Sequence, residues 1–185
     1  MTHQSDFVLS ILGNKKNGTY LEVGAGDYQY MSNSYVLEKE YGWSGIAVEI
    51  DPALCKDHDT NRDNLCINEN ALTINYHDYL PSIAVNKRID YLQIDIDDSP
   101  RHSNLLGLIN VPLNDYRFNV ITFEHDLVRS YKFKSMRDAQ REILDSLGYV
   151  LVVPGVAEDW WVDGKEIRYE QYGWAFEAYQ KAMAF

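Results

Sequence analysis

The sequence predicts an α/β protein built on a doubly wound sheet of seven strands, mostly parallel, with an antiparallel last strand. Three observations predict it. Short apolar runs alternate with helix-patterned segments along the chain, the order that makes a parallel sheet covered by helices on both faces. The first of these runs ends in a glycine-bearing turn, Glu22-Val23-Gly24-Ala25-Gly26-Asp27. The last two runs are joined through Pro154-Gly155, too short a connection for a crossover, so those strands run antiparallel. At 185 residues one domain covering 1–185 is expected, with enough chain to bury a core.

Residues 5–12 are expected to form a leading helix with Phe7, Val8, Ile11 and Leu12 on its apolar side. A Gly-Asn-Lys loop leads into strand one, Thr19 to Val23. A helix follows, capped by Ser32 or Asn33 and carrying Tyr35, Val36, Leu37 and Tyr41. Strand two is residues 45–49. Pro52 and Ala53 open the next helix, to about Arg62, and residues 64–68 read as a short third strand. Residues 89–95 form a buried fourth strand. Ser99-Pro100, a cap and first-turn pair, starts a helix through Leu105, Leu106 and Ile109. Residues 118–123 are strand five. Met136, Ala139, Ile143, Leu144 and Leu147 recur at helical spacing, and Gly148 stops that helix. Residues 149–153 and 157–162 are strands six and seven. A C-terminal helix carries Tyr172, Phe176, Tyr179 and Met183 on one stripe, which packs within the chain or supports a homodimer.

Composition excludes several functions. Seventeen Lys and Arg against 28 Asp and Glu leave a net charge of −11. Such a surface repels phosphate backbones, so a nucleic-acid partner is not expected. No segment approaches the length of a membrane-spanning helix, and no basic-then-apolar leader opens the chain. Cys55 and Cys66 lack metal-type spacing and read as free thiols of a reducing compartment. A cytoplasmic protein is expected.

In open α/β sheets a ligand lies beyond the carboxyl ends of the strands, where strand order reverses. Gly24 and Gly26 there let backbone approach a ligand. A dinucleotide site wants a third glycine opening the helix on the pyrophosphate, but Gln29 stands in that place. Acids flank the loop instead, at Glu22 and Asp27, and Glu49 ends strand two 25 residues beyond Gly24. Carboxylates oppose a pyrophosphate. They suit the ammonium and sulfonium of S-adenosylmethionine, and Glu49 is placed to accept both ribose hydroxyls.

The residues Leu21-Glu22-Val23-Gly24-Ala25-Gly26-Asp27, then Ser32-Asn33-Ser34, Leu37-Glu38-Lys39 and Gly42 to Glu49, resemble the class I S-adenosylmethionine-dependent methyltransferases, and specifically their FkbM-like branch. Ile89-Asp90-Tyr91-Leu92-Gln93-Ile94-Asp95-Ile96-Asp97 matches the strand-four motif, and Glu158-Asp159-Trp160-Trp161-Val162 resembles that family's ending. The resemblance spans roughly residues 5–165. It implies a Rossmann-like seven-stranded sheet and methyl transfer to a hydroxyl of a sugar or other small molecule. It also implies that Glu22, Gly24 and Asp27 line the methionine end, Glu49 the ribose, and Asn70 and Ala71 the adenine, with Ala25, Gly26 and Asp95 completing the cofactor set. Where the family often places Gly after the acidic strand-four motif, this chain has Asp98-Ser99-Pro100.

Oxygen methylation needs the acceptor proton removed. Asp97, Glu124 and His125 are the candidate catalytic groups, at the ends of strands four and five: a carboxylate or imidazole can serve as base. A divalent cation held by Asp95, Asp97 and Glu124 is the alternative, with hard oxygen ligands. Tyr28, Tyr30, Tyr76 and Tyr79 could stack on the ligand or pack in the core. Trp160 and Trp161, adjacent on one strand, should face opposite sides of the sheet. A nicotinamide-dependent oxidoreductase and a cofactor-binding module without transferase activity are the competing functions.

Overall fold

The computed structural model describes residues 3–30, 32–96 and 102–183. In chain order the elements are α1 (His3–Ile11), β1 (Thr19–Val23), α2 (Tyr35–Tyr41), β2 (Ser44–Val48), α3 (Pro52–Asn61), β3 (Leu65–Ile67), β4 (Arg88–Ile94), α4 (Ser103–Asn110), β5 (Arg117–Glu124), α5 (Lys134–Ser146), β6 (Tyr149–Pro154), β7 (Glu158–Asp163) and α6 (Tyr169–Met183). The sheet has seven strands in the order β3-β2-β1-β4-β5-β7-β6. The ladders β3-β2, β2-β1, β1-β4 and β4-β5 are parallel, and β7 is antiparallel to both β5 and β6. This is the expected Rossmann-like architecture. What local pattern could not predict is that β7 inserts between β5 and β6 rather than adding at the edge.

Two apolar layers sandwich the sheet. Leu21, Val23, Leu92, Ile94, Ile121 and Phe123 point to the face covered by α4 and α5, where Leu108, Met136 and Leu144 are buried with them. Tyr20, Tyr91, Val120 and Val162 point to the other face and meet Phe7 and Val8 of α1, Leu37 of α2 and Ala175 of α6. Adjacent residues on a strand face opposite ways, so Trp161 joins the first layer while Trp160 stacks on Phe7 at 4.9 Å. On α6, Tyr172 and Phe176 pack against the second layer, so that stripe is used within the chain.

Some boundaries shift for local reasons. Ser32 is the capping side chain before α2: its Oγ accepts the N–H groups of Ser34 and Tyr35 at 3.3 and 3.2 Å. Asp51 caps α3 by accepting from Ala53 and Leu54, with Pro52 in the first turn. Helix α4 starts at Ser103 after a left-handed His102. The cap expected at Ser99-Pro100 lies outside the described residues.

Candidate functional site: a carboxylate-lined cavity over β1, β2 and β4

The order of the sheet reverses between β1 and β4: β2 follows on one side of β1 and β4 lies on the other. A cavity of about 470 Å³ opens at the carboxyl ends of these strands, where a doubly wound sheet leaves a crevice. Its volume is in the range of small-molecule and cofactor sites. Glu22, Gly24, Ala25, Gly26, Asp27, Glu49, Asn70, Ala71 and Asp95 all line it. Six carboxyl side chains, from Glu22, Asp27, Glu49, Asp51, Glu69 and Asp95, face it with no Lys, Arg or His among the described lining residues.

The two loop glycines are needed for different reasons. Gly24 has φ +80°, and a Cβ there would stand 1.9 Å from the Asp95 carbonyl oxygen. That close approach holds the ends of β1 and β4 together. Gly26 also has a left-handed φ of +59°, but a Cβ would meet nothing within 4 Å. Its backbone borders open cavity, so a ligand can come against it. Asp27 turns the loop outward: its Oδ1 accepts the N–H groups of Gln29 and Tyr30 at 2.9 and 2.6 Å. Those two donors hold its carboxyl below the usual range.

Glu49 is almost fully buried. Its Oε2 accepts the Gly26 N–H at 2.8 Å and its Oε1 the Asp51 N–H at 2.8 Å. A carboxylate oxygen has two lone pairs, so each oxygen keeps one for a ligand donor. Around it Ile50, Leu54, Ala71 and Leu72 supply an apolar wall, and Asn68 braces the turn by donating to the Glu49 and Ile50 carbonyls. Asn70 folds its own loop by accepting the Leu72 N–H at 2.9 Å.

Glu22 sits deeper and is 2% exposed. Burial raises its carboxyl above the ordinary value, and bonds from Ser34, Ser32 and the Asn33 N–H offset only part of that. Behind the two serines lies Arg62, its side chain fully buried. It bonds Glu38 through Nε at 2.8 Å, the Tyr28 carbonyl and Ser32 through Nη1, and Tyr20 and Ser34 through Nη2. Burial works to raise Glu38, but the Asp63 N–H and Arg62 overcome it and hold the acid at about 2. Arg62 thus organises the serines that hold Glu22. Nothing in the sequence marks it: it follows a mostly exposed helix, and only the folded course of the chain between α3 and β3 brings it to Glu38 of α2.

Asp95 follows β4 and Glu124 ends the neighbouring β5; of the two, Asp95 is among the cavity's described lining residues and Glu124 is not. Burial first, then the neighbouring Asp95, push Glu124 up to about 9, so Glu124 holds its proton at neutral pH. Glu158 lies opposite Glu124 in the β5-β7 ladder and accepts from Gln4 of α1; burial raises it as well.

The other two catalytic candidates are placed differently. His125 is fully buried and is not among the cavity's lining residues. Its Nδ1 accepts the Leu127 N–H at 3.3 Å and its Nε2 lies 3.5 Å from Asp159 Oδ1. Arg141 bonds that same Asp159 through two nitrogens, each at 2.7 Å, so His125 belongs to a polar cluster tying β7 to α5. Asp97 lies outside the described residues. Among the described residues no group of three or more His, Cys, Asp or Glu is arranged to hold a metal ion, and no helix is long and apolar enough to cross a membrane. Of the four tyrosines, Tyr30 lines the cavity, while Tyr76 is in the core. Tyr79 donates to Glu69, itself a lining residue. Tyr28 contributes its carbonyl to Arg62.

No family model matches the sequence, and no curated protein matches it. Solved structures match the fold. A candidate caffeoyl-CoA O-methyltransferase from Staphylococcus aureus superposes with a TM-score of 0.56 at 16% identity, covering 89% of this chain and 84% of that one. A SAM-dependent methyltransferase from Aquifex aeolicus superposes with a TM-score of 0.55 at 14% identity, covering 85% and 88%. The METTL16 methyltransferase domain reaches 0.58 at 14% identity, over 85% of this chain and 64% of that one. None of these likenesses singles out the FkbM-like branch. The chain has the fold of the S-adenosylmethionine-dependent methyltransferases.

Proposed function

We propose that the protein is an S-adenosylmethionine-dependent methyltransferase acting in the cytoplasm on a hydroxyl of a small acceptor such as a sugar. The observation that carries this reading is the cavity over the glycine loop, lined by six carboxyl groups and no basic side chain among the described residues. A pyrophosphate would meet repulsion there, whereas a ligand with ammonium and sulfonium charges is attracted. This disfavours the nicotinamide-dependent alternative. The free lone pairs of Glu49 fit a pair of ribose hydroxyls, and the wall of Ile50, Leu54, Ala71 and Leu72 fits the faces of a purine.

When bound, S-adenosylmethionine supplies an electrophilic methyl group. The chain's own work is to place an acceptor oxygen in line with it, and positioning supplies the larger part of such catalysis. Asp95, which lines the cavity beyond the end of β4, is the group we place to receive the acceptor's proton. The sequence motifs of residues 21–49 support placing the chain in the FkbM-like branch.

Calorimetric titration with S-adenosylhomocysteine tests the reading. The wild-type protein is expected to bind it and not NAD. Glu49→Ala is expected to lower the affinity about a hundredfold, the loss of charge-assisted bonds to two hydroxyls, and to lower the melting temperature as well, because the Gly26 and Asp51 N–H groups lose their acceptor. Tight NAD binding without S-adenosylhomocysteine binding would sink the assignment. A screen of sugars, phenols and small acids for methylated product separates a transferase from a module that only holds the cofactor.

A further inference from the structure

Among the described residues, Gln93 is the one lining residue of the cavity whose buried polar atom is left without a partner. It lies on β4, is 3% exposed, and its Oε1 receives no hydrogen bond. Its position makes this conspicuous. Parallel pairing sets Gln93 beside Glu22 of β1 on one side and Thr122 of β5 on the other, and registered residues point to the same face. Both neighbours are satisfied by the protein. Glu22 takes bonds from Ser32, Ser34 and Asn33. Thr122 exchanges a bond with Tyr91 at 2.7 Å and donates to Gln4 at 2.7 Å. A buried acceptor without a donor is costly, and in a native fold it calls for an explanation. A donor brought by a ligand is one.

Resting on the reading of the cavity as an S-adenosylmethionine site, we propose that Gln93 Oε1 is a binding group for the ligand's α-ammonium. Glu49 and the apolar wall beside it lie on the β2 side, where ribose and base fit. Gln93 lies two strand spacings away on the β4 side, a span of roughly 10 Å, which an extended aminobutyrate chain can bridge from the ribose. A neutral amide next to Glu22 takes a cation without adding another buried charge. The strand-four sequence carries the trace: Gln93 is the polar residue in the buried run Tyr91-Leu92-Gln93-Ile94.

Gln93→Met and Gln93→Glu test the assignment, with melting temperature as the check on folding. Affinities are measured by calorimetry for S-adenosylhomocysteine and for its deaminated analogue, which keeps the carboxylate and lacks the ammonium. Gln93→Met is expected to bind S-adenosylhomocysteine about ten- to a hundredfold more weakly, the loss of one bond to a charged donor, and the analogue as the wild type does. Gln93→Glu, which keeps an acceptor, is expected to retain affinity for S-adenosylhomocysteine. If Gln93→Met binds both ligands as the wild type does, or loses both equally, the assignment is overturned while the reading of the cavity stands. If the wild type binds neither, the reading of the cavity fails and the assignment with it.

Discussion

The acids around the cavity and the acids at the opposite edge of the sheet are treated in opposite ways. At the amino edge each buried carboxylate is met by a cation. Asp163, its side chain fully buried, bonds Arg88 at 2.8 Å and Arg117 at 2.5 Å, and Arg117 stacks over the Tyr149 ring at 4.2 Å. Asp90 bonds Lys15 at 2.8 Å and the Thr19 N–H at 3.0 Å. Around the cavity Glu22 and Glu49 have, among the described residues, serines and backbone N–H groups as direct partners. Net negative charge is spread over the whole molecule, so composition says nothing of this asymmetry. The lesson is that an acid directly paired with a cation is structural, while an acid held by serines and backbone N–H groups alone is available to a ligand.

The largest effect expected from breaking the contrast is at the amino edge. Asp163→Ala leaves Arg88 and Arg117 facing a half-buried gap, and should cost about 3–5 kcal/mol in chemical denaturation. Cofactor affinity of the folded fraction should not change. If affinity falls as far as it does in Glu49→Ala, the two edges are not functionally distinct.

Next comes the glycine loop. Gly24→Ala drives a Cβ into the Asp95 carbonyl at a left-handed φ, and about 3 kcal/mol of stability should be lost. Gly26→Ala meets only open cavity and should cost about 1 kcal/mol, with its larger effect on ligand affinity. Equal melting temperatures for the two variants would refute this division of labour.

The last contrast is in pH dependence, where the two regions have opposite signs. Asp163 is held below its ordinary value because its bonds with Arg117, Lys165 and Arg88 outweigh burial. Its stabilising contribution is therefore present above pH 3.8 and is lost as pH falls through the lowered value. Glu124 is raised to about 9, so the folded state binds more protons than the unfolded state between roughly pH 4.5 and 9. Stability from that group therefore declines as pH rises. Glu124→Gln keeps the side chain's size and removes the titration, so its melting temperature should exceed the wild type's at pH 8 and approach it at pH 5. A wild-type advantage at pH 8 would mean that Glu124 is ionised and paired in the folded protein.

The sequence by itself determined the alternation of strands and helices, the antiparallel β6-β7 hairpin, and the glycine turn with its acids at Glu22, Asp27 and Glu49. These are legible because hydrophobic period, turn chemistry and capping act over a few residues. The nine residues expected to hold a cofactor converge on one cavity, as the rule for strand ends in an open sheet requires. Only the tertiary structure decided which polar residues at those ends face the cavity. His125 and Glu124 are neighbours in sequence, yet His125 lies 3.5 Å from Asp159 in a buried cluster between β7 and α5, while Glu124 is pushed up by burial and by Asp95. Arg62 and Gln93 are invisible in the linear chain for the same reason. Their importance comes from which partners packing brings to them, or withholds, and partners distant along the chain are chosen by the assembled sheet and not by local pattern.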